Sequence, residues 1–145
     1  MVGSALLRLY PDAESPTTKQ FHSESYDVRG RYIVHLAAKV GGVKANTDEI
    51  GEFFRMNSII NQKLLHMAYH DKAAKVVSLL STCVYPDKPY ITYPLTEEQL
   101  HLGPPHPSNF GYAYAKRMVD VMSRAYRQQY GCNFITAIPN NLYGE

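Results

Sequence analysis

Apolar and polar positions along the chain follow two rhythms. Short, nearly continuous apolar runs occur at "RYIVHLAA" (31–38), "KVVSLLS" (75–81) and "NFITAIPNN" (133–141). Runs of this length, bounded by polar or glycine-bearing stretches, predict buried strands. Between them lie two long stretches with helical spacing. "TDEIGEFFRMNSIINQKLLHMAYHD" (47–71) predicts one helix with Ile50, Phe53, Phe54, Ile60, Leu64 and Met67 on its apolar face, capped by Thr47 or Asp48. "FGYAYAKRMVDVMSRAYRQQYG" (110–131) predicts a second, with Met118, Val119, Met122 and Tyr126 along one side and Gly131 at its end. "MVGSALLRLY" reads as a short helix stopped by Pro11, residues 11–31 as an irregular loop, "VGGVKAN" as a glycine loop, and 82–109 as a long proline-rich loop.

Strand, helix, strand, helix, strand is the rhythm of an α/β fold, a parallel sheet with crossover helices. Ligands of such sheets bind beyond the carboxyl ends of the strands. The positions of interest are therefore Ala37 to Gly42, Ser81-Thr82-Cys83 and Pro139-Asn140-Asn141.

Composition narrows the class. With 145 residues, 45% apolar and 19% charged, the chain has the make-up of one globular domain. Its net charge of +2, from 15 basic and 13 acidic residues, argues against nucleic-acid or membrane-surface binding. No apolar run reaches the ~18 residues of a membrane span. Cys83 and Cys132 are too few for a disulfide framework. A cytoplasmic enzyme or binding domain is the expectation.

The chemistry concentrates in "GYAYAKRM" (111–118). Tyr112 and Lys116 are four apart, one turn along a helix face. A phenol has a pKa of ~10, and a nearby ammonium is expected to lower it into acid/base range. Tyr114, two residues from Lys116, is the weaker candidate. Ser81 closes the preceding strand, where its hydroxyl can hold a carbonyl oxygen while Tyr112 protonates it. Ser81 and Cys83 are two apart and, in an extended strand, point the same way. That arrangement suits carbonyl reduction beside a nicotinamide. For Cys83 the plain alternative is a small packed residue, and Cys132 keeps that reading. His66 and His70 have a metal-ligand spacing but no third ligand, so no metal is expected.

The stretches "HLAAKVGG", "LLSTCVYPDK", "TYPLTEEQLHLGPPHPSNFGYAYAKRMVDV", "AYRQQYG" and "IPNNLYG" resemble the GDP-L-fucose synthase family of extended short-chain dehydrogenase/reductases, almost without interruption from residue 33 to 144. The resemblance implies an NADP(H)-dependent epimerase-reductase that converts GDP-4-keto-6-deoxy-D-mannose to GDP-L-fucose, homodimeric at full length. It implies that Ser81, Tyr112 and Lys116 form the reductase triad and that Cys83 is one of two epimerisation acid/base residues. It places Gly3, Leu36, Ala37, Ala38, Tyr112, Lys116, Pro139, Asn141 and Leu142 along the cofactor. It makes Asn57 a support for the catalytic helix. A sugar-nucleotide 4,6-dehydratase or 4-epimerase is less well matched; in a dehydratase an acidic pair is expected where Thr82 and Cys83 stand.

Set against that family, the strand and first two glycines of a G-x-x-G-x-x-G motif have no counterpart before Gly3. The ~20 residues between Tyr10 and Tyr32 fall short of the ~30 of a βαβ unit. The family's nucleotide-sugar domain, with the second epimerisation residue, would follow Glu145. The expectation is a partial Rossmann-type parallel sheet with crossover helices, truncated at both ends. Residues 1–10 would be a first-helix remnant, 11–31 loop and 32–144 the central βαβαβ part. The rival expectation is a catalytically inactive form that partners the full-length enzyme.

Overall fold

A computed structural model describes residues 2–21, 23 and 26–142. The last two residues of the expected 32–144 unit, Tyr143 and Gly144, lie outside the described residues. Three parallel strands form the sheet: β1 (Tyr32–His35), β2 (Lys75–Leu79) and β3 (Phe134–Ala137), in spatial order β1-β2-β3. Among the described residues five α-helices accompany them: α1 (Val2–Leu9), α2 (Thr18–Phe21), α3 (Val43–Asp48), α4 (Ile50–His70) and α5 (Phe110–Tyr130). The first long helix bridges β1 to β2 and α5 bridges β2 to β3, as parallel pairing requires. This is part of a Rossmann-type fold.

Register explains which side chains are buried. Ile33 pairs with Val76 and Val76 with Phe134; His35 pairs with Ser78 and Ser78 with Thr136. These residues share the sheet face under α4 and α5. Val76, Ser78, His35 and Phe134 are buried there with Leu64, Leu65, Ala68 and Val119 from the helices. The opposite face is open among the described residues, with Tyr32 80% and Val34 46% exposed. The continuous apolar run at 31–38 therefore forms only a four-residue edge strand with one buried side, not a strand buried on both.

Two helix expectations need correction. The predicted helix 47–71 is broken at Glu49 (φ −120°, ψ 36°), which ends α3 and begins α4 without a side-chain cap. Thr47 lies inside α3 and its hydroxyl donates to Val43 O at 2.9 Å, so neither Thr47 nor Asp48 caps α4. The inward face also differs, because Phe53, Asn57, Asn61, Leu64, Leu65 and Ala68 point to the core while Phe54 is 46% exposed. Two asparagines on the core stripe disguise its phase from an apolar count. The loop 11–31 carries the single turn α2. By contrast α5 keeps its predicted span, ending on Gly131 at φ 68°, where glycine alone avoids a Cβ penalty.

Candidate active site

The carboxyl ends of the strands deliver three segments side by side. Leu36 to Gly42 follow β1, Ser81 to Val84 follow β2, and Ile138 to Leu142 follow β3. Ser81 is extended (φ −155°, ψ 152°), but the chain then turns into a single 3₁₀ turn, Thr82–Val84. The expectation that Ser81 and Cys83 converge by strand alternation is thus incorrect. They meet because the turn folds Cys83 back, and both line one cavity of about 250 Å³ with Tyr112, Asn46 and Asn109.

The helix α5 supplies Tyr112 and Lys116 to the same end of β2. Its start packs closely on α4: a Cβ added at Gly111 would lie 2.6 Å from Ile50 O. Lys116 is 3% exposed, its Nζ donating to Leu79 O at 3.0 Å and lying 6.0 Å from the Tyr112 ring centroid. One of its three donors is used there, leaving two. Burial pushes the ammonium pKa down.

Here the expected electrostatics reverse. Tyr112 is pushed up to about 12, first by burial and then by the neighbouring Cys83 charge. Lys116 engages a backbone carbonyl and does not lower the phenol into the neutral range. Tyr112 is therefore a proton-bearing group throughout ordinary pH. Burial also pushes the Cys83 thiol up, partly offset by the Ser81 hydrogen bond and by the positive charges of Lys116 and Arg117.

Four asparagines build this end of the sheet. Asn57 is fully buried; it accepts from Lys39 N at 2.9 Å and donates to Lys39 O at 3.0 Å and Phe53 O at 2.8 Å. It thus clamps the loop after β1, and none of these hydrogen bonds reaches α5, the helix it was expected to support. Asn61, one turn on, performs that role by donating to Ala115 O at 3.1 Å. Its Oδ1 faces His35 Nε2 at 2.9 Å, so the ring carries its proton on Nε2. Burial lowers His35 to about 4, the Lys116 charge adding to that and the Asn61 bond opposing it.

Asn46 donates to Gly41 O at 2.8 Å and Gly42 O at 3.1 Å, which fixes its amide orientation. Its Oδ1 is then a buried acceptor without a protein donor, as is Asn109 Oδ1 at the start of α5. Unpaired buried acceptors on a cavity wall are features of a ligand site, since each lacks a donor that a bound hydroxyl can supply. None of Asn46, Asn61, Asn109 or His35 stood out in the sequence. The signal for Asn61 was its place four residues after Asn57, a polar pair on a helix's inner face.

The remaining predicted residues divide. Gly3, in α1, stands beside Leu36, with 3.6 Å between an added Cβ and Leu36 Cδ1. Ala37 is exposed and Ala38 half-buried after β1; Pro139 is half-buried, and Asn141 and Leu142 are exposed after β3. They flank Ser81 on either side of β2. Tyr114 stacks on Arg117, 5.4 Å from ring centroid to guanidinium carbon. His66 Nδ1 meets Tyr126 OH at 3.3 Å and His70 pairs with Asp71, with no metal-type cluster among the described residues. Among these residues, no helix is long and apolar enough to cross a membrane.

A larger groove, about 500 Å³, opens at the opposite end of the sheet between Tyr69, Tyr130 and Cys132. Its lining mixes the aromatic Tyr69, Tyr130 and Phe134 with alanines, His70 and Lys72, and burial raises the Cys132 thiol. The smaller cavity holds the acid/base groups and is the candidate site.

The fold thus brings Ser81, Tyr112 and Lys116 together at the carboxyl end of a parallel sheet. Residues 14–145 match the NAD dependent epimerase/dehydratase family, and the chain belongs to it. It is a homologue of GDP-L-fucose synthases. It is 47% identical over 133 residues to the GDP-L-fucose synthase of Dictyostelium discoideum, covering 92% of this chain and 41% of that one. The probable GDP-L-fucose synthase of Drosophila melanogaster is 47% identical over 78% of this chain and 35% of its own length. Among solved structures, a GDP-L-fucose synthetase from Naegleria fowleri bound to NADP superposes with a TM-score of 0.71 at 47% identity, covering 78% of this chain and 35% of that one. The chain thus spans less than half the length of these relatives.

Proposed function

We propose that residues 32–144 carry the central, reaction-bearing part of an NADP(H)-dependent epimerase-reductase acting on GDP-4-keto-6-deoxy-D-mannose. The observation that carries this reading is the convergence of Ser81, Cys83 and Tyr112 on one cavity, with Lys116 buried beneath. The NADP-bound state of the Naegleria relative supports the choice of cofactor.

The residues present fit such a cofactor. Two unused Lys116 donors suit ribose hydroxyls, and the segments Leu36–Ala38 and Pro139–Leu142 stand on either side of Ser81. Gly3 beside Leu36 is the candidate contact at the far side. When bound, the nicotinamide supplies the hydride for carbonyl reduction. The chain supplies the rest. Cys83 exchanges a proton at a carbon beside the ketone, and Ser81 and Tyr112 donate hydrogen bonds to the oxygen that gains charge. A raised Tyr112 pKa keeps its proton in place until that oxygen needs it. Asn46 and Asn109 offer acceptors for sugar hydroxyls.

The exposed Phe54 and Ile59 of α4 and Phe110 and Val121 of α5 suit pairing of two copies or pairing with a longer homologue. The second reading, an inactive partner of such a homologue, draws support from the open sheet face at Tyr32 and Val34. Calorimetric titration of the folded chain with NADPH separates the two. Saturable binding supports the enzyme; a folded chain that binds no NADPH supports the inactive partner.

A further inference from the structure

Two consecutive cations of α5 hold the two ends of the segment that carries Ser81 and Cys83. Lys116 Nζ donates to Leu79 O at 3.0 Å, before the segment. Arg117 Nε donates to Val84 O at 2.6 Å, after it, and Nη1 donates to Gly103 O at 2.7 Å. Arg117 is only 6% exposed, and the Tyr114 ring covers it.

Arginine is an expensive way to fill that space. A buried guanidinium loses its hydration, and no carboxylate pairs with it among the described residues. An apolar side chain of the same volume would pack without that loss. What arginine adds is a rigid fork able to hold two carbonyls at once, which lysine lacks. The two carbonyls belong to separate parts of the long loop. Val84 closes the Cys83 turn, and Gly103 lies where an added Cβ would fall 2.3 Å from the Tyr90 ring. Apart from this clamp, the turn is held by Val84 N to Ser81 O at 3.0 Å and Tyr85 N to Thr82 O at 3.2 Å.

We propose that Arg117 is a positioning residue for Cys83: by tying Val84 O and Gly103 O to α5, it sets where the thiol stands relative to Tyr112 on that helix. The proposal rests on the reading of Cys83 as an acid/base group, and it extends that reading to a residue that touches no substrate. The groups around the Cys83 thiol are Ser81 on its own segment and Tyr112, Lys116 and Arg117 on α5.

The test uses alkylation by iodoacetamide as a function of pH, followed peptide by peptide in the mass spectrometer. Cys132, half-buried at the opposite end of the sheet, is the internal reference. In Arg117→Met the midpoint for Cys83 is expected to move to higher pH and its high-pH rate to change several-fold, with Cys132 unaffected. In Arg117→Lys the midpoint is expected to return to the wild-type value because the charge remains. The high-pH rate stays altered because one ammonium cannot reproduce the fork. An unchanged Cys83 profile in folded Arg117→Met overturns the proposal, as does a change shared equally by Cys132. If Arg117→Met does not fold, Arg117→Lys decides alone, and a wild-type high-pH rate overturns the proposal. Neither substrate nor NADPH enters the assay, so a chain that fails to bind NADPH contradicts the proposed activity without altering this result.

Discussion

Lys116 Nζ lies 3.0 Å from Leu79 O, at the carboxyl end of the central strand. Lys116 is thereby tethered to the strand that delivers Ser81, next to the Arg117 bonds that hold the other end of the same segment. Lys116→Met tests what that tether is for. A buried cation bonded to a neutral carbonyl carries a large desolvation cost, so an apolar replacement of similar length is expected to change stability by no more than about 1 kcal/mol. NADPH affinity is expected to fall at least tenfold, since the two remaining donors are lost with the charge. Urea denaturation and calorimetry on the same variant check both parts; intact affinity contradicts the role given to Lys116.

His35 makes folding sensitive to acid. Its folded pKa of about 4 lies below the usual value of 6.5, so the native state excludes a proton that the unfolded chain accepts. The sign follows: this contribution is fully present above pH 6.5 and is lost as pH falls through 6.5 toward 4. Its size is about 3 kcal/mol, from the pKa difference. Urea denaturation at neutral pH and near pH 4 is expected to show the loss in wild type and a clearly smaller one in His35→Gln. Equal losses in the two proteins contradict the assignment.

Gly111 of α5 packs against the start of α4. Gly111→Ala places a methyl 2.6 Å from Ile50 O, a backbone atom that cannot rotate away. A destabilisation of about 2 kcal/mol is expected, the usual cost of overpacking. Gly42, which has nothing within 4 Å of an added Cβ, is the control, and Gly42→Ala is expected to be close to neutral. Thermal unfolding of the two variants makes the comparison.

Asn61 joins three elements, through His35 of β1 and Ala115 O of α5. Asn61→Leu leaves a buried imidazole donor without a partner and removes the second bond to Ala115 O, which keeps its helical partner, at an expected cost of about 2 kcal/mol. Asn57→Leu strips the Lys39 backbone of its partners at the edge of the loop, where water can replace them in part, and is expected to cost less. The reverse order in urea denaturation contradicts the division of labour between the two asparagines.

Much of this arrangement was legible in the residues. Periodicity located all three strands and α5, because Val, Ile and Phe cluster in the strands and Gly131 closes the helix in a conformation other residues avoid. The Tyr112–Lys116 spacing and the place of Ser81 at a strand end pointed to the end of the sheet where the candidate cavity lies. Sequence could not show that β1 has one bare face, since apolar residues look alike whether covered or not. It misjudged α4 because Asn57 and Asn61 face inward, where each amide finds a backbone or imidazole partner supplied by distant segments. Arg117 passed unnoticed for the same reason: its partners lie 33 and 14 residues away in the chain. The Tyr112 electrostatics also depend on burial, which spacing alone does not report.

The central claim is that Tyr112 delivers a proton to a keto sugar in this cavity. The most direct measurement is NADPH oxidation by the folded chain in the presence of GDP-4-keto-6-deoxy-D-mannose, followed by absorbance, for wild type and Tyr112→Phe. The account predicts substrate-dependent oxidation by wild type and a loss of roughly 10²- to 10⁴-fold in the variant, the usual worth of a positioned acid. Equal rates for the two proteins, or no oxidation by a folded wild-type chain, would contradict it.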